Sequence, residues 1–463
     1  VPSKRICFKT NLNFPAQKVF SWHNQHGAFA RLLPPWEKIK VLSHPGEIRD
    51  GSEVKLKCFV AGPFYFNWHL RHSDFSQNQS FSDTQISGPF KKYKHQHLFS
   101  ENASSTQLND KIEYELPFSP ITKYLGKFFL EDRLSRTFYY RDQILKNDLS
   151  FHTEFADKSK LKFLITGASG LIGKALISFL ETAGHQVNTV VRNPSKIGPS
   201  SVFFSGEEFK FKPDDHFDCI INLAGAGIAD QRWSQSRKKE IYESRIQYTE
   251  KLIDSLRKLN VAPKTLISCS GLSFYKEHEN AANTEESPKG QGFLSDVANA
   301  WEQAAERSSS LGVRVCTLRL GVILDPRGGS LKKMLPAFNF GLGAKLGSGE
   351  QMFSWVSLED VIRAILFLAY KEELSGAFNL CSPNPTSNST FTNTLARVLA
   401  RPAFFKAPVQ MLNLIFGEMA SETMLASINC APNKLLHSGF KFIFPELEVC
   451  LNYCLGKNKK AYE

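Results

Sequence analysis

The sequence predicts an α/β chain: a doubly wound parallel sheet over residues 160–385, preceded by an α+β unit over 1–155 and followed by a small helical region at 386–463. Three observations carry this. The glycines 167, 170 and 173 stand between an apolar strand-type segment and a helix-type segment. Strand-like and helix-like patterns then alternate as βαβα, which dictates a parallel sheet with right-handed crossovers. Aromatic residues are also unevenly placed, 26 in the first 155 residues against 30 in the remaining 308, as expected of two units of different architecture.

In the first unit, Arg5–Leu12 reads as a strand and Pro15–Trp22 as a helix with Pro15 near its first turn. Phe29–Leu33 is a short helical run stopped by Pro34-Pro35-Trp36. Strand patterns follow at Glu53–Val60, Tyr65–His72, Ser80–Ile86, His95–Ser100 and Gln107–Tyr114, with turns at Gly62-Pro63 and Gly88-Pro89. A long helix over Ile121–Leu145 closes the unit, since Tyr124, Leu125, Phe128, Phe129, Leu134, Phe138 and Ile144 recur at helical spacing. This order of elements resembles the START-like, polyketide-cyclase-like helix-grip fold, in which a curved sheet wraps the last helix and often leaves an apolar cavity. Aromatic side chains more often fill a core than line a cavity, so a filled core is expected, with an apolar-ligand cavity as the alternative. His95 and His97 would share one strand face, as two metal ligands could. No third ligand stands at a recognisable spacing, so half-exposed strand histidines are expected and no metal site.

The second unit opens with the buried-strand pattern Leu161–Thr166, then Gly167-Ala-Ser169-Gly170-Leu171-Ile172-Gly173, the helix Lys174–Thr182 ended by Gly184, and the strand Val187–Val191. A diphosphate must approach the backbone at a helix N-terminus, where free N–H groups and the positive dipole end receive it. A side chain at Gly167 or Gly170 would obstruct the turn or that approach, and Gly173 permits close packing of helix on strand. Dinucleotide contacts are therefore expected from Gly167, Ser169, Gly170, Leu171, Ile172 and Gly173. Leu223, Ala224 and Gly225, after the strand Phe217–Leu223, and Arg245, in a long helix over Ser234–Leu259, complete the expected set. Arg192 stands where an NAD enzyme usually has Asp or Glu; its guanidinium suits a 2′-phosphate, which favours NADP over NAD. A surface arginine without a cofactor role is the alternative. The strand Thr265–Ser270, the helix Phe293–Ser308, the strand Val313–Leu318 and the helix Leu358–Tyr370 follow, then two or three helices within 386–455, with Pro402 and Pro408 between them.

The glycine run together with Asn222-Leu-Ala-Gly225-Ala, Leu318-Arg-Leu-Gly321-Val and Ser354-Trp-Val-Ser-Leu-Glu-Asp360-Val resembles the extended short-chain dehydrogenase/reductase superfamily, a Rossmann fold. Ser270-Gly-Leu-Ser-Phe-Tyr275, Thr284-Glu-Glu-Ser-Pro288, Phe293-Leu294 and Trp301-Glu302 make the resemblance closest to the atypical "epimerase family", NAD-dependent epimerase/dehydratase-like proteins, some of which carry an N-terminal START-like domain. The superfamily uses a Tyr-xxx-Lys pair on one helix, the lysine and the cofactor's charge lowering the tyrosine pKa, and a serine that holds the substrate oxygen. By register the tyrosine falls at Leu294 and the lysine at Ala298, so neither is present, as in the epimerase-family proteins. Ser270 matches the serine position and Tyr275 follows five residues on; the resemblance makes these two the candidates for substrate contact or proton transfer. The alternative is that Ser270 caps a strand end and Tyr275 packs. Lys276 stands where the family often has glycine, and Gly341–Gly349 with Phe353-Ser-Trp355 looks like a substrate-side loop.

What the resemblance implies is an NADP-binding oxidoreductase-like or epimerase-like protein acting on an unidentified small molecule, whose START-like unit delivers or senses an apolar ligand. A non-catalytic NADP-dependent regulator is the runner-up, relatives being linked with cell or plastid division. An apolar-ligand-binding protein with a vestigial nucleotide domain is the third reading. Composition narrows the setting. At 42% apolar and 22% charged, the chain of 463 residues is not of the disordered class. No stretch approaches the ~18 uninterrupted apolar residues of a membrane span, and no apolar segment follows Lys4, Arg5 and Lys9, so no secretory signal is expected. Nine cysteines without a CxxC pair read as reduced thiols of a cytoplasmic protein. The net charge of +12 is shared between the two parts without a long basic run, so no nucleic-acid partner is expected.

Overall fold

Alternating apolar and polar residues build the strands of the first part of the chain, and continuous apolar runs build those of the second. The computed structural model describes residues 3–61, 64–116, 120–275, 277 and 281–463. It divides into two compact units, Val1–Asp157 with Ser178–Gly184 and Asn452–Glu463, and Lys158–Ile177 with His185–Leu451.

The first unit holds seven strands, β1 (Lys4–Leu12), β2 (Ile39–Ser43), β3 (Glu53–Ala61), β4 (Phe64–Ser76), β5 (Ser80–Ser87), β6 (Lys92–Asn102) and β7 (Ser105–Glu115), in one antiparallel sheet of order β1-β7-β6-β5-β4-β3-β2. Helices α1 (Ala16–His23) and α2 (Ala28–Arg31) precede β2, and α3 (Pro120–Glu154) closes the unit. The edge strand β2 has no place in the sequence reading because four of its five residues are exposed, which erases the alternation. The predicted turn at Gly88-Pro89 joins β5 to β6, whereas Gly62-Pro63 lies outside the described residues. α3 runs beyond the expected Leu145 to Glu154. Its polar end is held from elsewhere: Arg31 donates to Asp148 through Nε (2.9 Å) and Nη2 (2.7 Å), both side chains being buried.

Phe8 stacks on Phe138 at 4.3 Å between ring centroids, in a core with Ile6, Val54, Leu56 and Ile112. That core is not filled, contrary to expectation: it leaves a cavity of about 220 Å³ with Phe29, Leu56, Trp68, Tyr93, Leu134 and Phe138 in its wall. Its walls also carry His72, Asp83, His95 and His97. His95 and His97 are 4% and 6% exposed, not half-exposed, because their strand face is the inner one.

In the second unit, β8 (Lys162–Thr166), β9 (Gln186–Val191), β10 (Ser201–Phe203), β11 (Cys219–Asn222), β12 (Thr265–Gly271), β13 (Arg314–Leu320) and the strand Gly376–Leu380 form a parallel sheet of order β10-β9-β8-β11-β12-β13 and Gly376–Leu380. The order reverses between β8 and β11, and in such sheets ligands bind in the crevice beyond the strand ends at that point. The flanking helices include α4 (Leu171–Thr182), α5 (Gln235–Glu243), α6 (Ile246–Leu256), α7 (Phe293–Glu306) and Leu358–Tyr370.

The single helix expected over Ser234–Leu259 is two, with the chain kinked at Arg245 (φ −111°, ψ −62°). The reason is polar: Ser244 Oγ accepts the Ala226 N–H at 3.0 Å, and Arg245 donates to the Ala226 carbonyl at 2.9 Å, so the two residues serve the loop after β11. Residues 386–455 hold four α-helices among the described residues, Asn388–Leu399, Val409–Phe416, Asn433–His437 and Leu447–Cys454, and a π-helical turn at Ala420–Met424, against the two or three helices expected. The nine cysteines are free, eight of them buried. Among the described residues no helix is long and apolar enough to cross a membrane.

Candidate functional site

The site begins where β8 ends. Gly167 takes a left-handed backbone (φ +66°), and a Cβ there would lie 2.7 Å from the Leu223 carbonyl oxygen. The Gly170 N–H donates to Gly167 O at 2.9 Å and closes the turn. A Cβ on Gly173 would meet Gly167 O at 2.5 Å and Ala168 Cα at 2.7 Å, so the close packing that Gly173 permits is of α4 on the turn itself, not on the strand.

Buried polar side chains fix the opposite wall. Thr166 Oγ1 donates to Asn222 Oδ1 (2.8 Å) and accepts the N–H groups of Leu223 (3.1 Å) and Ala224 (3.2 Å). Asn222 donates in turn to Thr249 (2.9 Å) and Ser268 (3.2 Å). Arg245 lies over the Trp301 ring at 5.2 Å; burial pulls its pKa down to about 10, which still leaves it charged at neutral pH.

Two adjoining cavities of about 670 and 510 Å³ share Gly167, Gly170, Leu223 and Gly225 and so meet at the glycine turn, the two together making up the candidate cleft. Every residue expected to touch a dinucleotide lines it. Ser169, Arg192 and Ala224 belong to the first cavity, and Leu171, Ile172, Gly173 and Arg245 to the second. Arg192 is exposed at the mouth of the first, beside Tyr248 and Lys251.

The two residues proposed for chemistry part company. Ser270, at the end of β12, lines the second cavity, and its hydroxyl donates to Glu302 Oε1 at 2.8 Å. Arg319 clamps that carboxylate through Nε (2.8 Å) and Nη2 (2.7 Å). Tyr275 is not among the lining residues: it is 3% exposed, accepts from Arg319 Nη1 at 2.7 Å and donates to Asn379 Oδ1 at 2.6 Å. Burial pushes its pKa further up, with Arg319 opposing. Its hydroxyl is committed on both sides, the packing alternative.

Leu294 and Ala298 stand in the cavity wall, so the positions of the absent Tyr-xxx-Lys pair are apolar surface. One wall residue has no counterpart in the sequence reading. Glu422 accepts the N–H groups of Phe293 and Leu294, both at 2.8 Å, and so caps α7 from a segment well over a hundred residues away, with no local signal to announce it. Phe353 and Ser354 line the cavity, whereas Gly341–Gly349 do not, because that stretch forms a small two-stranded sheet with Phe405–Ala407. Lys276 lies outside the described residues.

Comparison with known proteins gives this cleft a context. The model of the NAD dependent epimerase/dehydratase family matches residues 163–381. That of polyketide cyclase/dehydrase and lipid transport matches 12–137, and a domain of unknown function, DUF1731, matches 407–454. An epimerase family protein of Mycobacterium bovis is 37% identical over 291 residues, 62% of this chain and 96% of that one. Another, of Staphylococcus aureus, is 35% identical over 302 residues, 64% of this chain and 99% of that one. Among solved structures, the nucleoside-diphosphate sugar epimerase of Corynebacterium glutamicum superposes with a TM-score of 0.80 at 28% identity, covering 98% of this chain and 91% of that one. The human epimerase family protein SDR39U1, isoform 2, solved with NADPH, gives a TM-score of 0.59 at 30% identity over 64% of this chain and 100% of that one. The chain belongs to the NAD dependent epimerase/dehydratase family, in the short-chain dehydrogenase/reductase branch, and carries a polyketide-cyclase-like domain at its N-terminal end.

Proposed function

We propose that the protein holds NADP in the cleft between the glycine turn and Ser270, and acts as an atypical oxidoreductase or epimerase on a small molecule at the Ser270 end. The observation that supports this most is the cradle. Cβ atoms at 167 and 173 would strike backbone, whereas one at 170 would meet only Gly167 O, at 3.2 Å, so bare main chain faces the cleft at the start of α4. A dinucleotide diphosphate needs such a surface.

Gly167, Ser169–Gly173, Leu223–Gly225 and Arg245 would hold or frame the diphosphate and its ribose, and Arg192 at the mouth would take a 2′-phosphate, which favours NADP over NAD. NADPH in the human relative supports the same choice. The bound nicotinamide supplies hydride chemistry. For the chain's own part, Arg319 fixes Glu302, Glu302 takes the Ser270 proton in a hydrogen bond, and the lone pairs of that hydroxyl accept from a substrate hydroxyl. In the first unit the 220 Å³ cavity offers room for an apolar ligand. A second reading, a non-catalytic regulator responding to NADP, is favoured by apolar Leu294 and Ala298 and by the committed Tyr275 hydroxyl.

Titration with NADPH and NADH, followed by nicotinamide fluorescence, and then a screen of carbonyl substrates for turnover tests both. NADPH should bind more tightly than NADH, Arg192→Asp should weaken NADPH more than NADH, and Ser270→Ala should slow turnover on the order of a hundredfold. Binding of neither cofactor overturns both readings. Tight NADPH binding without turnover, unchanged in Ser270→Ala, establishes the regulator.

A further inference from the structure

The sheet of the first unit gathers titratable side chains on its inner face. Register puts them there: His72 on β4 pairs with Asp83 on β5, Asp83 with His95 on β6, and His97, two residues along, with Asp110 on β7. Cross-strand partners share a face, and so do residues two apart. The sequence hid the third ligand because Asp83 reaches His95 across a strand pair, not along the chain. His72, His95, His97 and Asp110 are all less than a tenth exposed.

So many polar groups under cover need partners or a cation. Hydrogen bonds do not account for all of them. His72 Nδ1 lies 2.7 Å from Asp83 Oδ1 and His97 Nδ1 lies 2.8 Å from Asp110 Oδ1, yet both nitrogens are out of line for a hydrogen bond, and His72 Nε2 has none either. His95 Nε2 stands 3.0 Å from the same Asp110 oxygen. One carboxylate thus backs two adjacent imidazoles, the outer contact that orients metal-binding histidines. Ligand atoms of Asp83, His95 and His97 lie within 4.8 Å of one another. A tetrahedral ion with bonds of about 2.0–2.1 Å needs them roughly 3.4 Å apart, a contraction that small side-chain rotations supply.

We propose that Asp83, His95 and His97 bind one divalent transition-metal ion of the zinc type, with Asp110 orienting both histidines and His72 beside the site. Two imidazoles and a carboxylate are a donor set that Zn²⁺ accepts, with a fourth position left for a water or a ligand oxygen. The dipositive ion matches two carboxylates, the buried one of Asp110 and the half-buried one of Asp83. All three ligands stand in the wall of the 220 Å³ cavity, so the open position faces a space that takes a small apolar molecule ending in an oxygen donor.

The test uses the full chain, stripped with chelator and titrated with Co²⁺ and then Zn²⁺. One equivalent of Co²⁺ should bind with visible ligand-field absorption, Zn²⁺ should displace it, and the metal should raise Tm. Asp110→Asn should bind 10- to 100-fold more weakly, and His95→Gln with His97→Gln should abolish uptake. Equal uptake by folded wild type and double variant overturns the site. If that variant does not fold, wild type decides alone: no cobalt spectrum and no metal-dependent shift in Tm overturns it.

Discussion

Alanine at 170 and alanine at 167 probe the glycine turn from opposite sides. At 170 the added methyl meets only Gly167 O, at 3.2 Å, so Gly170→Ala should stay within about 1 kcal/mol of wild-type stability. That methyl nevertheless stands in the cleft, between the backbone and any diphosphate. Hydrogen bonds to a charged group contribute about 1.5–3 kcal/mol, so losing one weakens NADPH about ten- to hundredfold. At 167 the left-handed backbone costs an L-residue about 1–2 kcal/mol. The new Cβ also falls 2.7 and 2.8 Å from Leu223 O and C, main-chain atoms that must retreat, an overpacking of about 1–3 kcal/mol. The sum, about 2–5 kcal/mol, corresponds to a fall in Tm of about 4–20 °C. Thermal melting without cofactor and NADPH titration by fluorescence should therefore separate the variants: Gly170→Ala loses affinity alone, Gly167→Ala loses affinity and stability. Wild-type NADPH affinity in Gly170→Ala refutes the diphosphate reading; a wild-type melt of Gly167→Ala refutes the packing argument.

Removing the Glu302 carboxylate leaves Arg319, 6% exposed at its side chain, buried beside no counter-charge. Glu302→Ala should cost about 3–5 kcal/mol in denaturant unfolding, and a loss below about 1 kcal/mol contradicts the buried pair. Asp360 bears on pH. Burial raises its pKa from 3.8 to about 6 despite a hydrogen bond from Ser357 and backbone N–H groups of Ile443 and Phe444. The folded chain therefore keeps a proton that the unfolded chain releases near 3.8, and stability from this group is present at low pH and lost as pH rises to about 6. Unfolding from pH 4 to 7 should show wild type losing about 1–3 kcal/mol relative to Asp360→Asn; a flat difference excludes it.

What the sequence made legible was local. Gly173 is required by contacts within its own turn and Gly167 by the left-handed backbone of that turn, and Leu358–Tyr370 matched its helix to the residue because one unbroken apolar pattern spells it out. What it hid depends on partners remote in sequence. The kink at Arg245 answers to the Ala226 carbonyl, the polar end of α3 to Arg31, and the α7 cap to Glu422. Tyr275 shows the same dependence: Gly271, Leu272 and Ser273 before it line the cleft, whereas its own hydroxyl is engaged by Arg319 and Asn379.

The apolar patch at 294 and 298 also gives divergence within the family a direction. Ala298 is packed in one cluster with Leu272, Phe274, Tyr275, Cys381 and Cys430. A lysine arriving there first would bring a second cation near Arg319, which already holds both oxygens of Glu302, and an uncompensated buried charge costs several kcal/mol. A tyrosine arriving first at 294 would gain no base to lower its pKa. Each residue of the pair thus presupposes the other, and chemistry that does without the pair has to come from the other walls of the cleft.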